Sequence, residues 1–306
     1  SGNQVEVEWN ETGTLRITES YDDGSGGAPE EVRTGDLVVT VTRISVKGTV
    51  KYNRNNLNHT PLDGITVKLI PTGGGSTLET QTDATGYYEF KTVADGNYSL
   101  EVSTDMAWGG GNSTDALAIQ RRSIGIPVSF WNIDNQAFDF DFRDKVAEVN
   151  LSGSINAIDA LKVKRRAIQL ESSFDAGDWA FFIPGIPDPF FDNSSAGTAT
   201  REYTHDQDNP AEFNILAMVY GDVNSSYTPS SGTKSFRPAE MGRVINTAQH
   251  RQVNLPVRIT SEQSIGAVTL KLKFNSRQLN VKGLKTQVPG LIHTITDDEI
   301  NGAWSG

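Results

Sequence analysis

The chain has 306 residues, with 38 Asp and Glu against 27 Lys and Arg, a net charge of −11 and no cysteine. The negative charge and the lack of a long basic run exclude a nucleic-acid partner, because phosphate backbones would be repelled. The composition also excludes disulfides and thiolate metal sites, and no apolar run approaches the ~20 residues of a transmembrane segment.

Residues 1–43 predict part of a β-sandwich. Apolar and polar residues alternate at residues 5–9, around Leu15 and Ile17, and at residues 39–42, a period typical of strands with one buried face. The pattern resembles the C-terminal part of a PKD-like or immunoglobulin-like domain. A whole sandwich takes ~100 residues, so the segment represents about half of one.

Residues 44–103 predict a complete small β-sandwich. Four alternating segments at residues 46–52, 61–70, 82–90 and 95–102 are separated by turns at Gly64, Gly86 and Gly96. These segments resemble the collagen-adhesin B-type and carboxypeptidase-regulatory-like modules. That resemblance implies a prealbumin-like fold.

A loop-helix unit then occurs twice. The pattern N-x-x-D-A-L-x-[IV]-x-R-R-x-I covers residues 112–124 and 156–168, and a glycine precedes each copy by three residues, at Gly109 and Gly153. The two copies are offset by a constant 44 residues, since 159 − 115 = 44. The repeat indicates a duplicated structural unit.

The second copy fits a twelve-residue calcium loop, in which alternate residues supply oxygen ligands and a glycine at position 6 makes the turn. Gly153 occupies that position. The predicted ligands at positions 1, 3, 5, 7, 9 and 12 are Glu148, Asn150, Ser152, the Ser154 carbonyl, Asn156 and Asp159. Two carboxylates are fewer than usual, which predicts a weak site. Alternatively, Gly153 and Asp159 only form a turn and a helix cap.

The first copy lacks suitable ligands at the first half of its loop. Thr104, Met106 and Trp108 occupy its positions 1, 3 and 5, and none of these side chains offers a carboxylate or carboxamide oxygen. The first copy alone therefore cannot form a complete calcium site.

A later segment of the chain supplies the oxygen ligands that the first copy lacks. Asp222, Asn224 and Ser226 have the spacing of positions 1, 3 and 5, but no acidic residue or helix follows. We therefore predict a split calcium site in which Asp222 and Asn224 join Asn112 and Asp115. The alternative is an Asx turn at the end of a strand.

These segments give residues 104–230 a resemblance to a divergent dockerin domain, of the type found in large secreted Bacteroidetes proteins. The resemblance implies bound Ca²⁺ and an extracellular or cell-surface location. It also implies that the paired arginines at residues 121–122 and 165–166 cap helices or face a partner.

Aromatic residues are frequent between the second copy and Asp222, among them Trp179, Phe181, Phe182, Phe190 and Phe191. Such side chains could stack on sugar rings, but each buries ~150 to 250 Å² when packed. We expect them to form a core.

Residues 237–306 resemble the first half of a cohesin-type jelly roll. Strands are predicted at residues 253–260, 265–274 and 278–284, followed by residues 299–306. About 70 residues are roughly half of what such a fold needs.

No enzyme is predicted. The four histidines are scattered, and no catalytic or phosphate-binding motif occurs.

Together the patterns predict a mainly β, multidomain protein. It combines immunoglobulin-like and prealbumin-like sandwiches, a small α-helical dockerin-like calcium module and a partial cohesin-like jelly roll. The predicted boundaries are 1–43, 44–103, 104–230 and 237–306. We expect an extracellular structural protein, a calcium-stabilised rod that forms filaments or an adhesin stalk. Its expected partners are further copies, through strand addition at the incomplete ends, and a polysaccharide or protein ligand. The alternative is a dockerin–cohesin scaffolding region of a polysaccharide-degrading system.

Overall fold

The computed structural model shows a mainly β chain, with 34% strand and 14% helix, which confirms the predicted fold class. It describes residues 13–21, 30–39, 45–54, 58–131, 137–184, 190–195, 198–205, 211–228, 252–257 and 264–306. The strand predicted at residues 5–9 and most of the one predicted at residues 39–42 lie outside these ranges.

The first described element is an antiparallel hairpin of β1 (Gly13–Tyr21) and β2 (Glu30–Val39). Gly13 pairs with Val39 and Tyr21 with Glu30, with a register shift after Ile17. This hairpin forms a two-stranded sheet of its own in the part of the chain that the structure describes.

A β-sandwich begins directly afterwards. Its first strands are β3 (Val46–Tyr52), β4 (Thr60–Pro61), β5 (Thr66–Pro71), β6 (Leu78–Gln81), β7 (Tyr87–Phe90) and β8 (Gly96–Ser103). Alternate side chains of β3, β5 and β8 are buried, as their sequence period predicts. Val50 and Tyr52 of one sheet share a core with Leu69 and Leu100 of the other.

Both sheets continue into a later part of the chain. Four strands follow the helices, namely β9 (Trp179–Phe182), β10 (Asp192–Ser195), β11 (Thr198–His205) and β12 (Ala211–Val219). One sheet has the order β4-β3-β12-β9, with β7 also on β3, and the other has the order β10-β11-β8-β5-β6. The sandwich therefore extends across the predicted boundary between residues 103 and 104.

The strand β9 and residues 215–219 of β12 are buried on both faces. Trp179 and Phe181 point into the sandwich core, whereas Ala180 and Phe182 belong to a second core. The two strands form a wall shared by two hydrophobic cores. The prediction that the aromatic residues of this segment are core residues is confirmed for β9.

Three helices pack on the outer side of this wall. They are α1 (Ser113–Ser123), α2 (Ala137–Ala147) and α3 (Ala157–Ala167). Ile119 of α1, Phe142 of α2 and Val163 of α3 are fully buried in the second core, and the Phe142 ring stacks on Phe182 at 5.0 Å. The duplicated units thus supply α1 and α3, while α2 is inserted between them.

The last described residues form a three-stranded sheet that contacts α1 and α3. Its strands are β13 (Ala267–Lys273), β14 (Ile292–Ile295) and β15 (Glu299–Ser305), in the order β13-β15-β14. Ser113 Oγ donates to the Val268 carbonyl at 2.8 Å, and Thr294 Oγ1 donates to the Ile168 carbonyl at 2.8 Å. We call these three strands the terminal sheet.

Two strand predictions in this region are wrong. Residues 278–284 and the described part of residues 253–260 contain no strand. Near the first of these, the Asn275 carbonyl accepts the backbone N–H groups of Gln278 and Leu279, at 2.9 Å each. A turn therefore interrupts the alternating pattern, and the next strand is β14.

The parallel contact between β3 and β12 gives the first prediction. A Cβ at Gly48 would lie 1.8 Å from the Phe213 carbonyl oxygen, so Gly48→Ala must force the two strands apart. We expect a loss of roughly 3 kcal/mol or more in the free energy of unfolding, measured by chemical denaturation. Gly73→Ala is the control, since a Cβ there meets nothing within 4 Å. Equal stability of the two variants would contradict the parallel pairing.

Candidate metal sites

The second copy of the repeat forms a compact loop before α3. Ser152 N–H donates to Glu148 Oε1 at 2.5 Å and to Asn150 Oδ1 at 2.9 Å. Asn156 Nδ2 donates to Ser152 Oγ and to the Ser154 carbonyl, both at 3.0 Å. Several oxygens of this contiguous loop therefore converge. Two of them accept from the side-chain amide group of Asn156, whose hydrogens carry partial positive charge.

The same loop caps the helix. Asn156 Oδ1 accepts from Ile158 N at 2.8 Å. The Asn156 side chain also accepts from the Asp159 backbone, and Asp159 Oδ2 accepts from Asn156 N at 2.8 Å, and these two contacts make a capping box. Asp159 Oδ1 also accepts from Val149 N and Asn150 N, at 2.9 and 3.2 Å. Asn156 and Asp159 therefore cap the helix, and a cation would have to share these oxygens.

Burial raises the pKa of the Asp159 carboxyl, whereas the backbone N–H groups of Asn156, Asn150 and Val149 lower it. The N–H groups oppose the desolvation because they stabilise the charged form. A cation bound beside the carboxylate would act in the same direction as these donors.

The two predicted halves of the split site lie together. Asn224 N donates to Asp115 Oδ1 at 3.0 Å, although the residues are 109 positions apart. Ser226 Oγ lies 3.5 Å from the Gly110 carbonyl, and Asn112 Nδ2 donates to the same carbonyl at 3.0 Å. We call this arrangement the split loop. It contains Asp222, Asn224 and Ser226 from one segment and residues 110–115 from the other.

The split loop has the same hydrogen bonds as the contiguous loop. Ser226 N donates to Asp222 Oδ1 and Asn224 Oδ1, at 3.0 and 2.9 Å, as Ser152 N does to its own positions 1 and 3. The residue at position 4 has a positive φ in both loops, 53° at Leu151 and 55° at Ser225. Positions 1 to 5 therefore have a similar conformation in the two loops, although one loop is built from continuous sequence and the other from two pieces.

Asp222 is fully buried, with 0% of its surface exposed, as are Asp115 and Asp159. Its Oδ1 also accepts from Ser226 Oγ at 3.1 Å. Its Oδ2 accepts from Tyr52 Oη at 2.5 Å and from Tyr227 N at 2.9 Å. Burial, followed by the negative charge of Asp222, raises the pKa of Tyr52 well above its ordinary value, so this phenol remains a proton donor.

Aromatic side chains hold the two halves of the split loop together. Trp108 Nε1 donates to the Tyr220 carbonyl at 2.9 Å, and Tyr227 Oη donates to the Ala107 carbonyl at 3.0 Å. Trp179 Nε1 donates to the Met106 carbonyl at 3.0 Å. Met106 and Trp108, which cannot supply ligand oxygens, thus have a packing role that the sequence pattern did not indicate.

The inserted helix α2 supports the same region. Arg143 is fully buried, and its guanidinium donates to the Val223 carbonyl and to Ser225 Oγ. These contacts fix the backbone between Asp222 and Ser226. A buried arginine on an inserted helix carried no sequence signal for this role.

Three consecutive glycines allow the close approach. A Cβ at Gly109 would lie 2.6 Å from the Tyr227 ring, and one at Gly110 would lie 2.5 Å from Asp222 Cγ. Gly110 also has a φ of +84°, which favours glycine. The glycine run therefore meets the geometric requirements of the split loop.

The repeated arginines make contacts within the chain. Arg122 pairs with Asp144 at 2.7 Å, and Arg166 pairs with Asp178 at 2.5 Å. The Arg166 guanidinium also lies 4.3 Å from the Trp108 ring centroid. The second arginine of each pair therefore contacts the helical layer of its own chain.

Each loop contains two carboxylates, Glu148 with Asp159 and Asp115 with Asp222. Among the described residues, no group of three or more His, Cys, Asp or Glu side chains could hold a metal. The other oxygens belong to amides, hydroxyls and backbone carbonyls, which suit the hard cation Ca²⁺ better than Zn²⁺. The donor set therefore fits calcium, at a low charge count.

Residues 45–107 match the family model of the carboxypeptidase regulatory-like domain. The match confirms the carboxypeptidase-regulatory-like part of the resemblance predicted for residues 44–103. It covers β3 to β8 and ends before α1, so the ligand positions of both loops lie outside the matched segment. In this chain the regulatory-like sandwich is extended by β9 to β12.

A search of curated proteins found no match to the chain. In the part of the chain that the structure describes, no helix is long and apolar enough to cross a membrane.

The glycine run gives the second prediction. Gly110→Ala combines a strained φ with a clash against Asp222, and we expect it to destabilise the protein by about 3 kcal/mol or more. Gly125→Ala is the matched control, because Gly125 has a φ of +76° but a Cβ there meets nothing within 4 Å. Strain alone costs ~1 to 2 kcal/mol. Denaturant unfolding of both variants measures the difference, and equal losses would show that the Asp222 contact is unimportant.

Proposed function

We propose that the chain is a rigid structural segment of an extracellular surface protein, in which Ca²⁺ bound in the two loops fixes the helical layer to the β-sandwich. The observation that supports this best is the split loop. It joins the end of β12 to the start of α1, two chain segments 109 positions apart. A regulatory-like sandwich is compatible with a structural module of this kind.

The proposed ligands follow from the loop positions. In the contiguous loop they are Glu148, Asn150, Ser152, the Ser154 carbonyl and Asp159, and in the split loop they are Asp222, Asn224, Ser226, the Gly110 carbonyl and Asp115. Asn112 and Asn156 use Oδ1 as the helix cap, which fits position 9, where a water often bridges to the ion. The ion supplies positive charge that offsets the two carboxylates of each loop.

The structural consequence differs between the loops. The contiguous loop connects α2 to α3 within one stretch of chain, so an ion there orders a local connection. In the split loop the ion would cross-link two segments that are distant in sequence. A cross-link that closes a long loop is expected to give the larger stabilisation. The chain has no cysteine, and bound calcium would serve in place of disulfides as a stabilising cross-link.

The contacts of α1 and α3 favour this structural function over a scaffolding one. A dockerin-like partner interaction would use the exposed face of these helices. In this chain Ser113 of α1 and Lys164 of α3 contact the terminal sheet, the latter through Ser305 Oγ at 3.1 Å. The helix pair thus forms a joint inside the chain.

Polymerisation through the terminal sheet is a second part of the proposal. Thr269 faces α1, where its Oγ1 lies 3.0 Å from Ser113 Oγ. Alternate residues of a strand point to opposite faces, so Val268, Leu270 and Leu272 lie on the other face, where they are only partly buried. A second copy could add a strand at the sheet edge and pack its own apolar side chains against this face.

Calcium dependence is the third prediction. A calcium concentration about 100 times the Kd adds ~2.7 kcal/mol to the stability, so calcium should raise the melting temperature by about 5 °C or more relative to excess chelator. Asp159→Ala should reduce this calcium-dependent shift. Calorimetry measures it as a difference between the two conditions, which cancels the cost of the lost helix cap.

Asp83→Ala is the control for this experiment. Asp83 is an exposed carboxylate that accepts from Thr85 N and Tyr87 N in a turn away from both loops. Its removal should leave the calcium-dependent shift unchanged. Identical melting of the wild-type protein in calcium and in chelator would refute a structural calcium site.

The open face of the terminal sheet gives the fourth prediction. In calcium, the chain should form concentration-dependent assemblies in multi-angle light scattering, because the apolar face favours strand addition. Leu270→Lys should reduce the assembly, since a charge would be placed on that face. Lys282→Glu, a change of charge at an exposed residue outside the three strands, is the control. A monomer at all concentrations would contradict the polymer proposal.

A further inference from the structure

A fully buried tyrosine of the sandwich contacts the split loop. Tyr52 lies at the end of β3 and is 0% exposed, and its hydroxyl donates to Asp222 Oδ2 at 2.5 Å. Val219 N donates to the same hydroxyl at 3.3 Å. The hydroxyl thus accepts one hydrogen bond from β12 and donates one to Asp222, the first ligand position of the split loop.

The surroundings of Tyr52 fix its ring. The rings of Trp179 and Tyr227 lie 5.9 and 5.4 Å from it, centroid to centroid. Trp179 also donates a hydrogen bond to the Met106 carbonyl, and Tyr227 donates one to the Ala107 carbonyl. The tyrosine is therefore locked by the same aromatic cluster that joins the two halves of the split loop.

We propose that Tyr52 is a positioning residue of the split calcium site, which orients the Asp222 carboxylate and couples ion binding to the sandwich core. Its hydroxyl engages Oδ2, so Oδ1 is directed to the Ser226 side of the loop, where Ser226 N and Oγ donate to it. This inference rests on the calcium binding proposed above. A carboxylate oriented in advance binds an ion more tightly because less freedom is lost on binding.

The contiguous loop offers an internal comparison. Its first position, Glu148, is half-buried and receives the Ser152 N–H, but no tyrosine hydroxyl among the described residues donates to it. Its longer side chain is therefore less constrained. Among the described residues, the tyrosine contact that joins a loop to the sandwich core is found at the split loop. Removal of the Tyr52 hydroxyl should therefore weaken calcium binding in the split loop and leave calcium binding in the contiguous loop unchanged.

The test is calcium titration calorimetry of the whole chain carrying Tyr52→Phe. We expect the affinity of one site to fall about tenfold, since a hydrogen bond to a charged group is lost, and the second site to be unchanged. Tyr88→Phe is the matched control. Tyr88 is also buried in the sandwich, but its hydroxyl donates to the Phe213 carbonyl at 3.0 Å instead of to a carboxylate.

The possible outcomes separate the two proposals. If wild-type protein binds calcium and Tyr52→Phe binds it as tightly as Tyr88→Phe, the positioning role is refuted while the calcium function stands. If wild-type protein binds no calcium, both proposals fail. A selective loss at one site supports the inference.

A second measurement covers the case in which Tyr52→Phe does not fold. Hydrogen exchange of the wild-type protein in calcium and in chelator reports the coupling directly. Protection should rise more in β3 and β12, which contact the split loop through Tyr52 and Val219, than in β5 and β6 of the opposite sheet. Equal changes in the two sheets would overturn the coupling.

Discussion

The wall formed by β9 and β12 is the element on which the rest of the structure depends. Its side chains alternate between two cores, with Phe181 in the sandwich and Phe182 in the helical layer. Neither core would be closed without it. Because β12 pairs in parallel with β3, the end of β12 lies beside the end of β3, and this places Asp222 against Tyr52.

This placement explains why one of two duplicated loops is divided. The contiguous loop takes all its positions from residues 148–159. In the split loop, ligand positions 1, 3 and 5 come from the segment after β12. Residues 106–108 instead make hydrogen bonds with Trp179, Tyr220 and Tyr227. Under the proposed function, the ion in the divided loop joins the sandwich to the helices, whereas the ion in the intact loop orders only a turn.

Much of the fold and of the candidate metal sites could be predicted from the sequence where its patterns are local. The strands of residues 44–103 follow from period-two alternation, and α1 and α3 follow from the repeated Asn and Asp that form their capping boxes. The spacing of Asp222 and Asn224 pointed to the missing half of the first loop. In contrast, β9 and residues 215–219 of β12 are buried on both faces, so these residues do not alternate and cannot show which strands they pair with. Arg143 and Tyr52 reach the split loop from other elements, and no spacing along the chain connects them to it.

The central claim is that Asp115 and Asp222 hold a single ion. A double-mutant cycle of Asp115→Ala and Asp222→Ala, with calcium stoichiometry measured by equilibrium dialysis, tests it most directly. Residues that share one ion couple strongly, so each single variant should lose one calcium and the double variant should lose no more than that same one. Two calcium ions lost in the double variant, or additive losses of calcium-dependent stability, would contradict the split site.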